Sequence, residues 1–192
     1  MRVAVLLAAG LAACSAGSHD APADIFLGAL AQHCGKAFEG RLVSTDEADR
    51  DFAGKRLVME VRECAPTEIR IPFHVGEDRS RTLVVTRTET GLRLKHDHRH
   101  EDGSPDELTN YGGDTVAAGS ASRQEFPADQ FSKDLFLDEG RAVSVDNVWA
   151  VEITDASFAY ELRRPNRHFR VEFDLTKPVA PPPPPWGAAA AR

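Results

Sequence analysis

Beyond Gly35 the chain is divided into short apolar or alternating segments by turn residues, and this spacing limits the possible folds more than any other feature. Nine segments read as strands: 37–44, 56–63, 68–75, 82–88, 92–100, 115–126 in one or two pieces, 145–153, 158–163 and 169–175. Gly54, Gly76, Gly91, Gly103, the Gly112-Gly113 pair and Pro165-Asn166 fall in the gaps, where turn geometry suits them. Gaps of hairpin length join antiparallel neighbours, because a parallel crossover needs a dozen or more residues. So many strands with few helices must curl into a barrel or split into a sandwich. The expected fold is mainly β, an antiparallel lipocalin-like barrel or a sandwich.

Two helices complete this picture. Phe26, Leu30 and Cys34 recur at spacing four, with Leu27 and Ala31 beside them, so a helix starts at Asp24 or just before it and stops at Gly35. Residues 128–138, with Phe131, Leu135 and Phe136, predict a short later helix closed near Gly140.

At the N-terminus, Arg2 precedes an eleven-residue apolar run over residues 3–13. Such a run has the parts of a secretory signal and is too short to span a bilayer, which needs roughly 20 apolar residues. It ends in Leu11-Ala12-Ala13-Cys14, a string that resembles the lipobox of bacterial lipoproteins. The resemblance covers the first fifteen residues. It implies cleavage before Cys14, acylation of that cysteine and of the new amino terminus, and a firm hold on a membrane, since two or more acyl chains anchor stably where one does not. Ser15 after the cysteine, in place of an Asp, favours the outer membrane in a host that has two. Loss of residues 1–13 leaves 179 residues, enough for one domain, and moves the formal charge from −7 to −8. That charge argues against generic nucleic-acid binding.

With Cys14 given to lipid, Cys34 and Cys64 remain as an even pair in an oxidising compartment, and a disulfide is expected. Two buried thiols are the alternative, and metal ligation is a remote one because no CxxC spacing is present. Residues 14–22 read as a lipidated tether, 23–177 as a single β-rich domain and 178–192 as a Pro-rich flexible tail. Its five consecutive prolines hold polyproline II and form no core. The tail is expected to be a stiff exposed end, or a partner's ligand anchored by Trp186.

Residues 92–100 hold the most chemistry. In a strand, Leu92, Leu94, His96, His98 and His100 share one face, so an apolar face runs into a row of imidazoles. Two such histidines can chelate Zn²⁺ or Cu²⁺ if a neighbour such as Asp102, Asp106, Glu107 or Asp114 adds a ligand. The bland alternative is a polar strand end entering a charged loop. A three-residue hairpin loop at 89–91 sets the histidines beside Val84 and Thr82, and a two-residue loop at 90–91 sets them beside Val85 and Leu83. A second cluster, Arg163, Arg164, Arg167 and Arg170, marks a hairpin tip suited to phosphate or carboxylate, unless local Glu161 and Glu172 neutralise it.

Motifs of nucleophilic, zinc-protease and phosphate-loop enzymes are missing from the sequence. The expected role is therefore non-enzymatic. The chain reads as a lipid-anchored envelope protein with a binding or structural role at the membrane surface and without a cofactor; an apolar ligand in a barrel is the leading version, a purely structural or interaction role follows it, and a small anionic ligand at the arginine cluster is a further candidate partner. A metal-binding protein using His96, His98 and His100 with Zn²⁺ or Cu²⁺ is the alternative.

Overall fold

Alternation of apolar and polar side chains sets the strands. The computed structural model describes residues 21–188, so Cys14 and the lipobox lie outside the described residues. After helix α1 (Pro22–Ala31) come strands β1 (Ala37–Leu42), β2 (Leu57–Glu60), β3 (Glu63–Ala65), β4 (Glu68–Val75), β5 (Asp78–Arg87), β6 (Leu92–His98), β7 (Tyr111–Asp114) and β8 (Arg123–Pro127). Helix α2 (Gln130–Asp138) follows, and then β9 (Val148–Ile153), β10 (Ser157–Arg164) and β11 (Arg167–Val179). Along β11, Phe169, Val171, Phe173 and Leu175 are buried in one core cluster, which also takes Ile69, Ile71, Phe73 and Val75 from β4.

All strands form one antiparallel sheet in the order β7-β6-β5-β4-β2-β1-β11-β10-β9-β8, so the fold is a nearly closed barrel and not a sandwich. β2 and β3 both pair with β4 and act as one strand broken at Val61 and Arg62. The seam falls between β7 and β8, where the Asp129 amide donates to the Gly112 carbonyl at 2.9 Å and Ser132 Oγ accepts from the Gly112 amide at 2.7 Å. Gly112-Gly113, expected as a turn, lies inside β7, and of the strand expected at 115–126 only 123–126 forms, in β8, after a loop. Backbone crowding explains this: a Cβ on Gly112 would stand 1.9 Å from the Leu94 carbonyl oxygen, and one on Gly113 1.8 Å from that of Pro127.

One end of the barrel is plugged by α1. Phe26 and Leu30 are fully buried, Ala23 and Leu27 nearly so, and burial of a Phe or Leu side chain contributes about 1.5–3 kcal/mol. Asp24 ties the helix to the end of β5 through Arg87 at 2.6 Å. The helix ends at Ala31, earlier than its apolar stripe predicts, because the His33 and Cys34 amides turn back to Leu30 and Ala31 in a tighter coil. Gly35 follows at φ +76°, and Cys34 is bridged to Cys64 on β3.

The C-terminal segment, expected as a stiff exposed end, is largely exposed or half-buried but is tied back onto the barrel. β11 runs on to pair Pro178 and Val179 with Phe38 and Ala37, past a bulge. The Trp186 amide then donates to the Arg79 carbonyl at 3.1 Å, and Arg79 Nη1 donates to the Pro184 carbonyl at 3.0 Å. The prolines thus cross from β1 toward β5 on the side where outward-facing Val58, Pro72 and His74 are buried. Polyproline cannot build a core, but it can cover an apolar strip that another part of the chain leaves bare.

Candidate functional site

The end of the barrel opposite α1 holds a cavity of about 370 Å³. Alternation along β4, β5, β9, β10 and β11 turns Phe73, Leu83, Trp149, Tyr160 and Phe169 inward to form its wall. Phe52, from the loop before β2, leans over them, 4.7 Å from Phe169 and 6.3 Å from Phe73 between ring centroids. Leu108, Phe136 and Asn147 stand at the rim. Exposed apolar Phe131 and Leu137 flank Phe136 on α2.

Inside, His96, His98, Tyr111 and Tyr160 satisfy one another. His96 is 2 % exposed, with Nδ1 3.1 Å from the Tyr111 carbonyl and Nε2 2.7 Å from the Tyr160 hydroxyl. A carbonyl can only accept, so Nδ1 carries the proton and Tyr160 donates to Nε2. Burial, with His98 nearby, lowers the His96 pKa to about 3, which keeps the ring neutral. The His98 pKa falls to about 4 for the same reason, burial first and then Arg81. Burial pushes Tyr111 up to about 12, and its hydroxyl lies 3.1 Å from His98 Nε2. The ring of Tyr111 stacks on His96 at 4.5 Å.

Register decides which histidines enter. His96 pairs with Leu83 and His98 with Arg81, across a four-residue loop at 88–91. This is the more apolar of the two faces that the sequence allows, shifted by two residues from the two-residue loop. β6 ends at His98, and His100 sits outside on an exposed turn, 3.7 Å from Glu107. The three histidines are not brought together as a ligand set. Among the described residues, the group with metal-ligand spacing is His100, Asp106 and Glu107, whose ligand atoms lie within 4.8 Å of one another.

The arginine cluster divides the same way. Arg163 and Arg170 point outward and are neutralised: Arg163 reaches Glu125 and Glu161 at 2.6 Å, and Arg170 reaches Glu152 at 2.7 Å and Glu161 and Glu172 at 3.0 Å. Burial opposes the charge of Glu161, yet Arg123, Arg170 and Arg163 hold its pKa below the usual carboxylate value. Arg164 and Arg167 have the opposite parity and line the cavity, placed there by the two-residue turn at Pro165-Asn166, with Asn166 at φ +59°. Arg167 pairs with Asp49 and Asp46. Among the described residues Arg164 meets only the Asn147 amide oxygen, at 3.2 Å, and burial followed by the charge of Arg167 lowers its pKa.

Sequence reasoning passed over Arg81 and Arg141, which also line the cavity. Arg81 was detectable, since it shares period two with Leu83 and Val85 and so stands as a cation on an inward face. Its Nη2 binds Asp78 at 2.8 Å, while Nη1 is buried without a hydrogen-bond partner. Arg141 carried no signal, because it follows α2 in a segment without period. Only tertiary packing brings it to the mouth.

Fold and cavity together define a nearly closed antiparallel β-barrel, plugged at one end and open at the other. Comparisons with protein-family models, with curated proteins and with solved structures returned no match for this chain.

Proposed function

We propose that this protein is a lipid-anchored binding protein of the cell envelope that holds a small apolar molecule in the open end of its barrel. The observation that carries this is the cavity itself, about 370 Å³ of space walled by aromatic side chains in a barrel whose other end is filled. Pockets of this size and lining suit small ligands. The Leu11-Ala12-Ala13-Cys14 string supports attachment through Cys14, in the outer membrane by its Ser15, facing the periplasm or the surface. The buried histidines of the cavity are held neutral by their surroundings and are engaged by the Tyr160 and Tyr111 hydroxyls.

The chain from Ser15 onward retains every described element of the barrel. Titrated with N-phenyl-1-naphthylamine, a neutral fluorescent probe, it should show one saturable site, weakened at least fivefold by Trp149→Ala. Emission that rises linearly without saturation, or a variant that binds as wild type does, refutes the cavity as the site. Cys14→Ser in the full chain should leave the membrane fraction, and retention there refutes the anchor.

The metal alternative has one supporting observation, the His100, Asp106 and Glu107 group, and no longer involves His96, whose ring nitrogens are both engaged. A Zn²⁺-dependent rise in Tm that His100→Ala removes would support it. An unchanged Tm at millimolar Zn²⁺ disposes of it.

A further inference from the structure

We infer that the occupant of this cavity is an amphiphile, and that its acidic head, a carboxylate or a phosphate ester, seats on the arginines at the cavity mouth. The inference rests on the proposed binding function and names its ligand class.

Arg81, Arg141, Arg164 and Arg167 all line one cavity, against one carboxylate, Asp106. Asp106 is engaged, since its Oδ1 accepts from the Leu108 amide at 2.8 Å. Among the described residues, Arg141 and Arg164 have no carboxylate partner within salt-bridge distance, and Arg81 keeps one guanidinium nitrogen buried and unpartnered. A buried donor left unmade costs free energy, so the Arg81 nitrogen marks a place where something else supplies the acceptor, and Arg141, exposed at the mouth, and Arg164 add unpaired charge beside it.

Scarcity of carboxylates does not explain the gap, since the chain carries 30 acidic residues against 23 basic ones. On the outer wall of the same strands every one of three arginines has carboxylate partners: Arg123, Arg163 and Arg170 share Glu125, Glu152 and Glu161, although Arg163 Nε makes no hydrogen bond. The planar guanidinium fork fits the two oxygens of a carboxylate or phosphate in particular. Below the arginines the wall turns to Phe73, Trp149 and Phe169, which can take an apolar body but not a second charge. Cations above and aromatics below call for a ligand with the same division.

Binding of dodecanoate, dodecyl phosphate, 1-dodecanol and inorganic phosphate to the chain from Ser15 onward tests this, at pH 7.5 and low salt. Both acids should bind at least tenfold more tightly than the alcohol, and inorganic phosphate alone at least a hundredfold more weakly than dodecyl phosphate. Arg141→Gln and Arg164→Gln should cut the advantage of acid over alcohol to about twofold, while Arg41→Gln on the outer wall should keep it. The ratio is read within each variant, so a general loss of stability does not imitate the effect. Equal affinity for acid and alcohol overturns the acidic head and leaves the cavity proposal standing. Failure of all three dodecyl compounds to bind overturns both, and inorganic phosphate binding as tightly as dodecyl phosphate shows an anion site without a tail and overturns the amphiphile.

Discussion

The two ends of the barrel are built from the same strands and are filled in opposite ways. At the closed end, α1 inserts Phe26 and Leu30 among the strand side chains, and the Cys34–Cys64 bridge fixes the chain that leaves it. At the open end lies a cavity of about 370 Å³, lined by four arginines, of which Arg81 keeps an unpartnered nitrogen. Stability is therefore concentrated where the core is dry, and that surplus lets the mouth keep groups that packing alone would not retain.

The largest effect is expected at the plug. Phe26→Ala removes a fully buried ring and should cost about 3–5 kcal/mol in urea unfolding. A loss below 1 kcal/mol would remove the asymmetry on which the comparison rests. Next comes the bridge, which spans 30 residues; replacing both cysteines by Ser should cost about 3–4 kcal/mol by the chain-entropy model. If that variant unfolds at the wild-type urea midpoint, the staple adds nothing to the closed end.

A smaller effect belongs to the histidines and depends on pH. The pKa values of His96 and His74 are lowered from 6.5 to about 3 and about 4, so the folded state binds fewer protons than the unfolded one below pH 6.5. Stability is full above that pH and falls as pH drops toward the folded values, by about 2 kcal/mol per histidine at pH 5. His74 lies on the outer wall and His96 in the cavity, which separates the two regions. His74→Asn should flatten the stability profile between pH 7 and 5 without changing probe affinity, whereas His96→Asn should change both. Identical slopes in wild type and both variants would falsify the neutral burial of these rings.

Legibility in the sequence followed the range of the interaction involved. The strand at 68–75 and the helix at 128–138 are local patterns and sit where period and capping place them, the second capped by Asp129 accepting from the Ser132 amide at 2.9 Å. Gly112 and Gly113 misled because a glycine permits a turn and also a close strand approach, and the choice depends on Leu94 and Pro127, distant in sequence. The histidines were visible as a group, but the barrel separates them by register: two more residues in the hairpin loop place Arg81, not Leu83, opposite His98. The same parity divides the arginines, sending Arg163 and Arg170 to the glutamates outside and Arg164 and Arg167 to the cavity.

By itself the sequence determined an antiparallel β domain with an N-terminal helix and a cysteine pair, because alternation, turn residues and helical spacing act over a few neighbours. Only the tertiary structure decided that the sheet closes at Gly112, that α1 fills one end, that the prolines lie on the outer wall, and that four arginines converge on one opening. Each of these depends on residues far apart in the chain, which local propensity cannot couple and which only register and barrel closure bring to a common place.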